Sequence, residues 1–77
     1  MYISYKKLWK LLIDRDLLKK DLCQMANLSS ASMAKLGKNE NINTDILVRI
    51  CDALNCDISD IAEFVREDVE VNYDEEI

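Results

Sequence analysis

The fold of this chain is decided by the stretch KKDLCQMANLSSASMAKLG, residues 19–37. Its apolar residues have the spacing of two short helices that cross through a tight turn, and they are Leu22, Ala26, Leu28, Met33 and Leu36. Cys23 is small enough to let the second helix cross close to the first, and Asn27 tolerates the left-handed backbone that such a turn often needs. The stretch therefore predicts helices over residues 19–26 and 30–36.

The second of these helices carries very small side chains on the face that points away from the core. Ser29 is the expected N-cap, Leu28 packs on Met33 as a hydrophobic staple, and Gly37 ends the helix. The remaining outer positions hold Lys35 and otherwise only small residues, which are Ser30, Ala31, Ser32 and Ala34. Because the outer face of a surface helix usually carries longer polar side chains, a bare face indicates that something large comes close to it.

Two more helices are predicted beside this pair. The first covers about residues 5–15, with Ser4 as its N-cap. Trp9 widens the apolar stripe of that helix, so we expect it to pack at the edge of the core and to have no functional role. The other helix begins after the N-cap Asn43 and stops at Asn55, with apolar residues at helical spacing between them.

A fifth helix and an acidic tail are predicted to follow. Asp57 is the expected N-cap, and the buried face of the fifth helix would hold Ile58, Ile61, Ala62 and Val65. We therefore predict an all-α fold, a compact five-helix bundle over residues 1–66. The tail, residues 67–77, holds six acids and no base. Within it VEVNY either forms a short strand against MYISY, residues 1–5, or stays a solvated, disordered segment.

Length and charge limit the classes of protein that this sequence can form. A chain of 77 residues makes one small domain with little room for an extended active-site cavity. No segment approaches the ~20 apolar residues of a membrane span, and charges interrupt the N-terminal stretch where a signal peptide is apolar, so we expect a cytoplasmic protein. The net charge is −5, but residues 1–66 hold all ten bases and only nine acids. The acidity belongs to the tail and does not exclude nucleic-acid binding by the rest.

The chain contains no histidine and three cysteines, Cys23, Cys51 and Cys56. Without histidine it lacks the usual general base and the commonest metal ligand. The cysteines are odd in number and fit no common zinc spacing, so we expect them to act as small apolar core residues. We therefore predict no metal, no cofactor and no enzymatic activity.

The two crossing helices have a helix-turn-helix signature, and the chain resembles the lambda-repressor-like, Cro-type domains of the Xre family of bacterial and phage transcriptional regulators. The resemblance covers about residues 8–64 and includes TDILVRICDALNCDISDI, which is similar to the fourth and fifth helices of that family. The sequence departs from the family pattern at Asn27, where the turn has glycine, and at Leu18 and Lys19, where the family has threonine and glutamine. A further departure is Gly37, in place of an acid.

The resemblance implies that the second helix of the pair enters the major groove of DNA, where large side chains would hold the backbone away from the bases. The base-contacting positions are then Ser30, Ala31, Ser32 and Lys35. Lysine donates to guanine, serine bonds to bases or phosphate, and alanine touches the methyl group of thymine. The corresponding phosphate-side positions are Lys19, Ser29, Lys38, Asn39 and Asn41. For Lys38 and the two asparagines, an ordinary polar loop is an equally good interpretation.

Two functions from different classes follow from these observations. The first is a sequence-specific DNA-binding transcriptional regulator, with double-stranded DNA as its partner and with a homodimer on two half-sites as the usual arrangement for such proteins. The face for such a dimer would be the exposed side of the fifth helix. The alternative is a protein-interaction module, such as an antitoxin-like subunit whose acidic tail binds a basic protein.

Overall fold

The computed structural model describes residues 1–66, in which two short strands flank four α-helices and a 3₁₀ turn. The elements in chain order are β1 (Tyr2–Ser4), α1 (Lys6–Asp14), α2 (Lys19–Ala26), α3 (Ser30–Gly37), α4 (Thr44–Leu54), the 3₁₀ turn (Ile58–Asp60) and β2 (Glu63–Val65). Within this part of the chain, no helix has both the length and the apolar character needed to cross a bilayer. The acidic tail and the VEVNY stretch lie outside the described residues.

One apolar core joins the helices to the segment that follows α4. Its most completely buried large side chains are Tyr5, Leu8, Leu22, Leu36, Ile50, Leu54 and Ile61. α2 packs on α4, and the 3₁₀ turn contacts both α1 and α4. Burying one leucine or isoleucine of this set contributes about 1.5–3 kcal/mol to folding, so the core holds the α2–α3 pair on a rigid support.

The two helices and the turn predicted within residues 19–37 are confirmed by the structure. α2 has the predicted bounds, and α3 extends one residue beyond them to Gly37. The turn residue Asn27 is left-handed, with φ of 56°, and the backbone N–H of Leu28 donates to the carbonyl of Cys23 at 2.9 Å. This is the Schellman arrangement that closes many helices, and it sets the direction in which α3 leaves α2.

The same closing motif recurs at the end of α4. Asn55 has φ of 53°, and the backbone N–H of Cys56 donates to the carbonyl of Cys51 at 3.0 Å. At the other end of α4, Asn43 is the N-cap as predicted, because its Oδ1 accepts from the N–H of Ile46 at 3.0 Å. The bounds of α4 therefore depend on side chains within a few residues of each end.

The predicted fifth helix is wrong, and with it the count of five. Asp57 does precede a helical turn, but the turn is 3₁₀ and ends at Asp60, after which residues 63–65 are extended. Ile61 is fully buried as predicted, whereas Ile58 is 43% exposed and therefore does not share that buried face. The exposed helical face suggested for a dimer contact consequently does not exist.

The reason for this difference lies at the other end of the chain. β2 pairs with β1 in an antiparallel ladder that sets Tyr2 opposite Val65, Ile3 opposite Phe64 and Ser4 opposite Glu63. The pairing satisfies backbone groups of β1 that would otherwise lack partners, and a helix over residues 63–65 could not do so. MYISY therefore does contain a strand, and among residues 1–66 its partner is residues 63–65.

The first helix also starts differently from the prediction. α1 begins at Lys6, and Tyr5 rather than Ser4 occupies the N-cap position. Ser4 instead ends β1 and is buried, and its Oγ accepts from the backbone N–H of Lys6 at 3.2 Å. The hydroxyl thus caps the helix from one residue further out, because the strand pairing holds Ser4 in an extended conformation.

Candidate nucleic-acid interface

The N-terminus of α2 is capped by a carboxylate inside the helix. Leu18 holds the N-cap position but has no polar side chain, and its backbone N–H donates to Oδ2 of Asp21 at 2.8 Å. An acid in the first turn also offsets the unfavourable placement of Lys19 and Lys20 at the positive end of the helix dipole. The missing threonine cap is therefore replaced by half of a capping box, and both lysines remain exposed.

Lys19 is held in place by the aromatic ring of α1. Its Nζ lies 4.5 Å from the centroid of the Trp9 ring, within the range of a cation–π contact worth about 0.5–1 kcal/mol at an exposed site. Trp9 is half-buried and packs against the core, as predicted. No functional role was predicted for Trp9. In the structure its ring also contacts the ammonium group of Lys19 at the start of α2.

α3 begins with a serine pair whose polar atoms satisfy each other. The Oγ of Ser29 accepts from the N–H of Ser32 at 3.1 Å, which confirms Ser29 as the N-cap, and it donates to the Oγ of Ser32 at 3.1 Å. The single hydroxyl proton of Ser29 is therefore used within the helix. Ser32 keeps its own hydroxyl proton for another acceptor.

The outward face of α3 is small and neutral over its first turns. Ser30, Ala31 and Ala34 are exposed, while Leu36 is buried and Met33 is half-buried against the core. Lys35 is exposed in the last turn, where a positive charge is favoured by the helix dipole. The structure thus brings three of the four predicted base-contacting residues to the surface of one helix, with Ser32 partly covered beside them.

The loop after α3 is tied to the start of α1 by Asn39. This residue has φ of 57°, and its Oδ1 accepts from the backbone N–H of Tyr5 at 3.1 Å. The hydroxyl of Tyr5 donates in turn to the carbonyl of Glu40 at 3.1 Å. Asn39 therefore has a structural function that the sequence analysis missed, and only its NH₂ group remains for a phosphate. Lys38 and Asn41 are exposed on the same loop.

Arg49 fixes the turn between α2 and α3 from the side of α4. Its Nη1 donates to the carbonyl of Asn27 at 2.9 Å, and its Nε lies 3.3 Å from Oδ2 of Asp45 in an ion pair outside hydrogen-bonding geometry. The only sequence signal for this arrangement was the i, i+4 spacing of Asp45 and Arg49. The contact to Asn27 joins residues 22 positions apart and could not be predicted.

Charge is divided unevenly along the described residues. Residues 1–38, which contain α1, α2 and α3, hold eight bases and three acids, whereas residues 39–66 hold two bases and six acids. Phosphate attracts the first part and repels the second, so the charge favours approach of a polyanion to the helix-turn-helix.

Within residues 1–66, no three cysteine or carboxylate side chains are grouped to hold a metal ion. The absence of a metal cofactor stays a prediction.

Comparison with known proteins identifies the chain's relatives. The family model described as the Cro/C1-type HTH DNA-binding domain matches residues 7–67. A crystal structure of the transcriptional regulator VanUg, Form II, superimposes with a TM-score of 0.83 at 52% sequence identity, covering 86% of this chain and 88% of that chain. No curated protein sequence gives a significant match.

Proposed function

The chain belongs to the Cro/C1-type helix-turn-helix DNA-binding family, and on that premise we propose that it is a cytoplasmic, sequence-specific transcriptional regulator without catalytic activity. Its target is double-stranded DNA, with α3 in the major groove and α2 lying across the backbone. The observation that carries the proposal is the exposed face of α3, which is bare except for Lys35. A face of that kind allows the helix backbone to approach base edges closely.

The proposed base contacts follow from the chemistry of that face. Lys35 donates to O6 or N7 of guanine, and Ala31 touches the methyl group of a thymine. Ser30 bonds to a base edge, and Ser32 donates its remaining hydroxyl proton. Each good contact of this kind is worth about 1–3 kcal/mol of discrimination between bases.

The proposed phosphate contacts surround this face on both sides. Lys19 approaches one strand from the start of α2, and the loop after α3 approaches the backbone through Lys38, Asn41 and the NH₂ group of Asn39. Because the Ser29 hydroxyl is used as the N-cap, we propose that its contribution comes from its position. It starts a helix whose first N–H groups have no intrahelical acceptor and can bind a phosphate.

Selection of bound sequences from a random duplex library tests the proposal. We expect the full chain to enrich one motif, with affinity at least about a thousandfold above that for random duplex. Ala31→Glu places a bulky acid on the exposed face of α3 and should abolish the enrichment without lowering the melting temperature. Ile13→Glu is the matched control, because Ile13 is 72% exposed on α1. If the Ala31 variant keeps the motif and its affinity, α3 does not read the bases.

We also propose that two copies bind together, because one small module has limited affinity and such regulators read two half-sites about 34–36 Å apart. The selected motif should then be palindromic. Sedimentation of the protein with a selected duplex should show two chains for each duplex. One chain on a motif without symmetry would contradict this arrangement.

The second candidate function, an antitoxin-like interaction module, rests on the charge of residues 67–77, which hold six acids and no base. A pull-down with the full chain distinguishes the two functions. Stoichiometric recovery of a basic protein that is lost when residues 67–77 are removed would favour the interaction module, especially if library selection enriches no motif.

A further inference from the structure

A second surface feature lies on α4, away from the exposed face of α3. It is a groove between α4 and the segment that follows it, and it encloses about 480 Å³. Its apolar lining consists mainly of Leu47, Val48, Cys51, Cys56 and Ile58. Val48 is 63% exposed and Ile58 is 43% exposed, which leaves part of this apolar surface in water. We refer to it as the α4 groove.

The polar boundary of the α4 groove is acidic. Asp52 and Asp57 line it, and Asp60 is close enough to act electrostatically on the Cys51 thiol inside it. Within residues 1–66, none of these three carboxylates forms an ion pair with a lysine or arginine, in contrast to Asp45, which pairs with Arg49. The groove thus combines an apolar floor with uncompensated negative charge.

Two basic side chains that reach the 3₁₀ turn and the end of α4 are engaged with backbone carbonyls. The Nζ of Lys7 donates to the carbonyl of Ser59 in the 3₁₀ turn at 2.6 Å. The Nη1 of Arg15 donates to the carbonyl of Leu54 at the end of α4. Both cations therefore stabilise backbone carbonyls instead of pairing with the carboxylates of the groove.

The acidic boundary and the apolar floor together determine which kind of molecule the α4 groove can bind. DNA is excluded because its phosphates would be repelled by the acidic boundary. A second copy of the chain, joined groove to groove about a two-fold axis, would bring the acidic boundaries of the two grooves together, and like charges in an interface cost several kcal/mol. A basic segment with one apolar face matches both the floor and the boundary.

We propose that the α4 groove docks a short amphipathic helix of a partner protein, with apolar side chains against Val48 and Ile58 and with flanking lysine or arginine against Asp52 and Asp57. This is recognition of a helix in a groove, in which a few side chains at i, i+3, i+4 and i+7 carry the contact. The inference does not depend on the DNA-binding function, because the groove and the outward face of α3 share no residue. It also differs from binding by the acidic tail, since it uses residues 47–58 and not residues 67–77.

The first experiment titrates the full-length protein with a synthetic peptide of about fifteen residues, long enough for about four helical turns, with leucine on one face and lysine on the other. Binding is followed by peptide fluorescence anisotropy, and the site is mapped by amide chemical-shift changes in the protein. We expect the changes to centre on the α4 groove. Changes confined to residues 67–77 would overturn the proposal in favour of the tail, and changes on α3 would also overturn it.

Paired variants then test the two parts of the groove separately. Val48→Lys removes apolar contact and adds a charge of the same sign as that of the peptide, so it should weaken peptide binding at least tenfold. Its control is Ile13→Lys, at an apolar position of similar exposure on α1, which should not change peptide binding. Asp52→Asn should weaken binding about two- to fivefold, with Asp14→Asn near the end of α1 as its control. Both Val48→Lys and Asp52→Asn should leave the affinity for selected DNA unchanged. Equal effects of variant and control would show that the peptide follows net charge alone and would overturn the proposal.

Discussion

Lys35 and Lys38 lie three residues apart at the end of α3, yet we expect their removal to affect DNA binding in different ways. Lys35→Ala should relax base preference at one position and cost about 1–3 kcal/mol on the best site, because it removes a base contact. Lys38→Ala should weaken all sequences about equally and reduce the salt dependence by about one phosphate. Selection profiles of the two variants decide between these outcomes. A uniform loss of affinity with an unchanged motif in the Lys35 variant would make Lys35 a phosphate contact.

The thiol of Cys51 is expected to be unreactive at neutral pH. Burial raises its pKa to about 11, with smaller contributions from the neighbouring Cys56 thiol and from Asp57 and Asp60. Because the thiolate is the nucleophile, alkylation by iodoacetamide at pH 7 should be about a hundredfold slower than for a free thiol. The rate should rise with pH until about pH 11, and peptide-resolved mass spectrometry measures it.

Asp57→Asn is the control for this assignment. It removes one of the lesser contributions to the raised pKa, so Cys51 should react modestly faster, while burial continues to dominate. Labelling of Cys51 at the rate of a free thiol in the unmodified protein at pH 7 would contradict the burial of its sulfur. A Cys51 thiol that does not react at neutral pH would act as an apolar side chain in the wall of the α4 groove.

At the scale of the elements, the left-handed asparagines at the ends of α2 and α4 are expected to contribute to the stability of the fold. Asn27→Ala and Asn55→Ala should each destabilise the fold by up to about 1–2 kcal/mol, because asparagine tolerates φ near +55° better than alanine does. Asn27→Gly and Asn55→Gly should be neutral or stabilising, since glycine adopts this conformation without that crowding. Urea denaturation measures the effects.

Asn41→Ala provides the comparison for those variants. Asn41 is exposed and is not among the residues with positive φ, so its replacement should change stability by less than about 0.5 kcal/mol. If the alanine variants at positions 27 and 55 are no less stable than the variant at 41, the two turns do not depend on the conformational preference of asparagine.

At the scale of the whole molecule, the distribution of charge predicts an effect of residues 67–77 on DNA binding. Removing them changes the net charge from −5 to about +1, because six acids and no base are lost. Non-specific affinity is mainly electrostatic, so truncation should tighten binding to random duplex, most strongly at low salt and less above about 0.15 M, where the screening length is about 8 Å. Binding through the base contacts proposed for Ser30 and Lys35 should change less.

Affinity for a random duplex at two salt concentrations, measured with the melting temperature, tests this effect. The full chain should show the higher ratio of specific to non-specific affinity. A lower melting temperature and weaker binding of every kind would mean that residues 67–77 support the fold. If truncation leaves non-specific binding unchanged or weaker, at an unchanged melting temperature, then residues 67–77 do not inhibit non-specific DNA binding.

The sequence by itself determined the features that depend on neighbours within a few residues. The bounds of α2, the N-caps Ser29 and Asn43, the left-handed turn at Asn27 and the end of α4 at Asn55 were predicted and are confirmed. A cap or a Schellman turn uses hydrogen-bonding groups three to five positions away, and the energy of a cap, about 1 kcal/mol, depends on residue types that are visible in the local pattern. The bare outer face of α3 was predictable for the same reason, since helical periodicity assigns each of its residues to a side.

The tertiary structure decided what depends on distant partners. Val65 continues the helical spacing of Ile58 and Ile61, which predicted a fifth helix. Residues 63–65 nevertheless form β2, because Tyr2–Ser4 supplies an antiparallel partner about sixty residues away. The contacts of Asn39 with Tyr5 and of Arg49 with Asn27 likewise span 34 and 22 positions. Local pattern carries no information about which strand edge or carbonyl the fold brings near, because that proximity is set by packing of the common core. The position of the outer face of α3 therefore followed from sequence, while the contacts that hold α3 and the loop after it in place followed only from the fold.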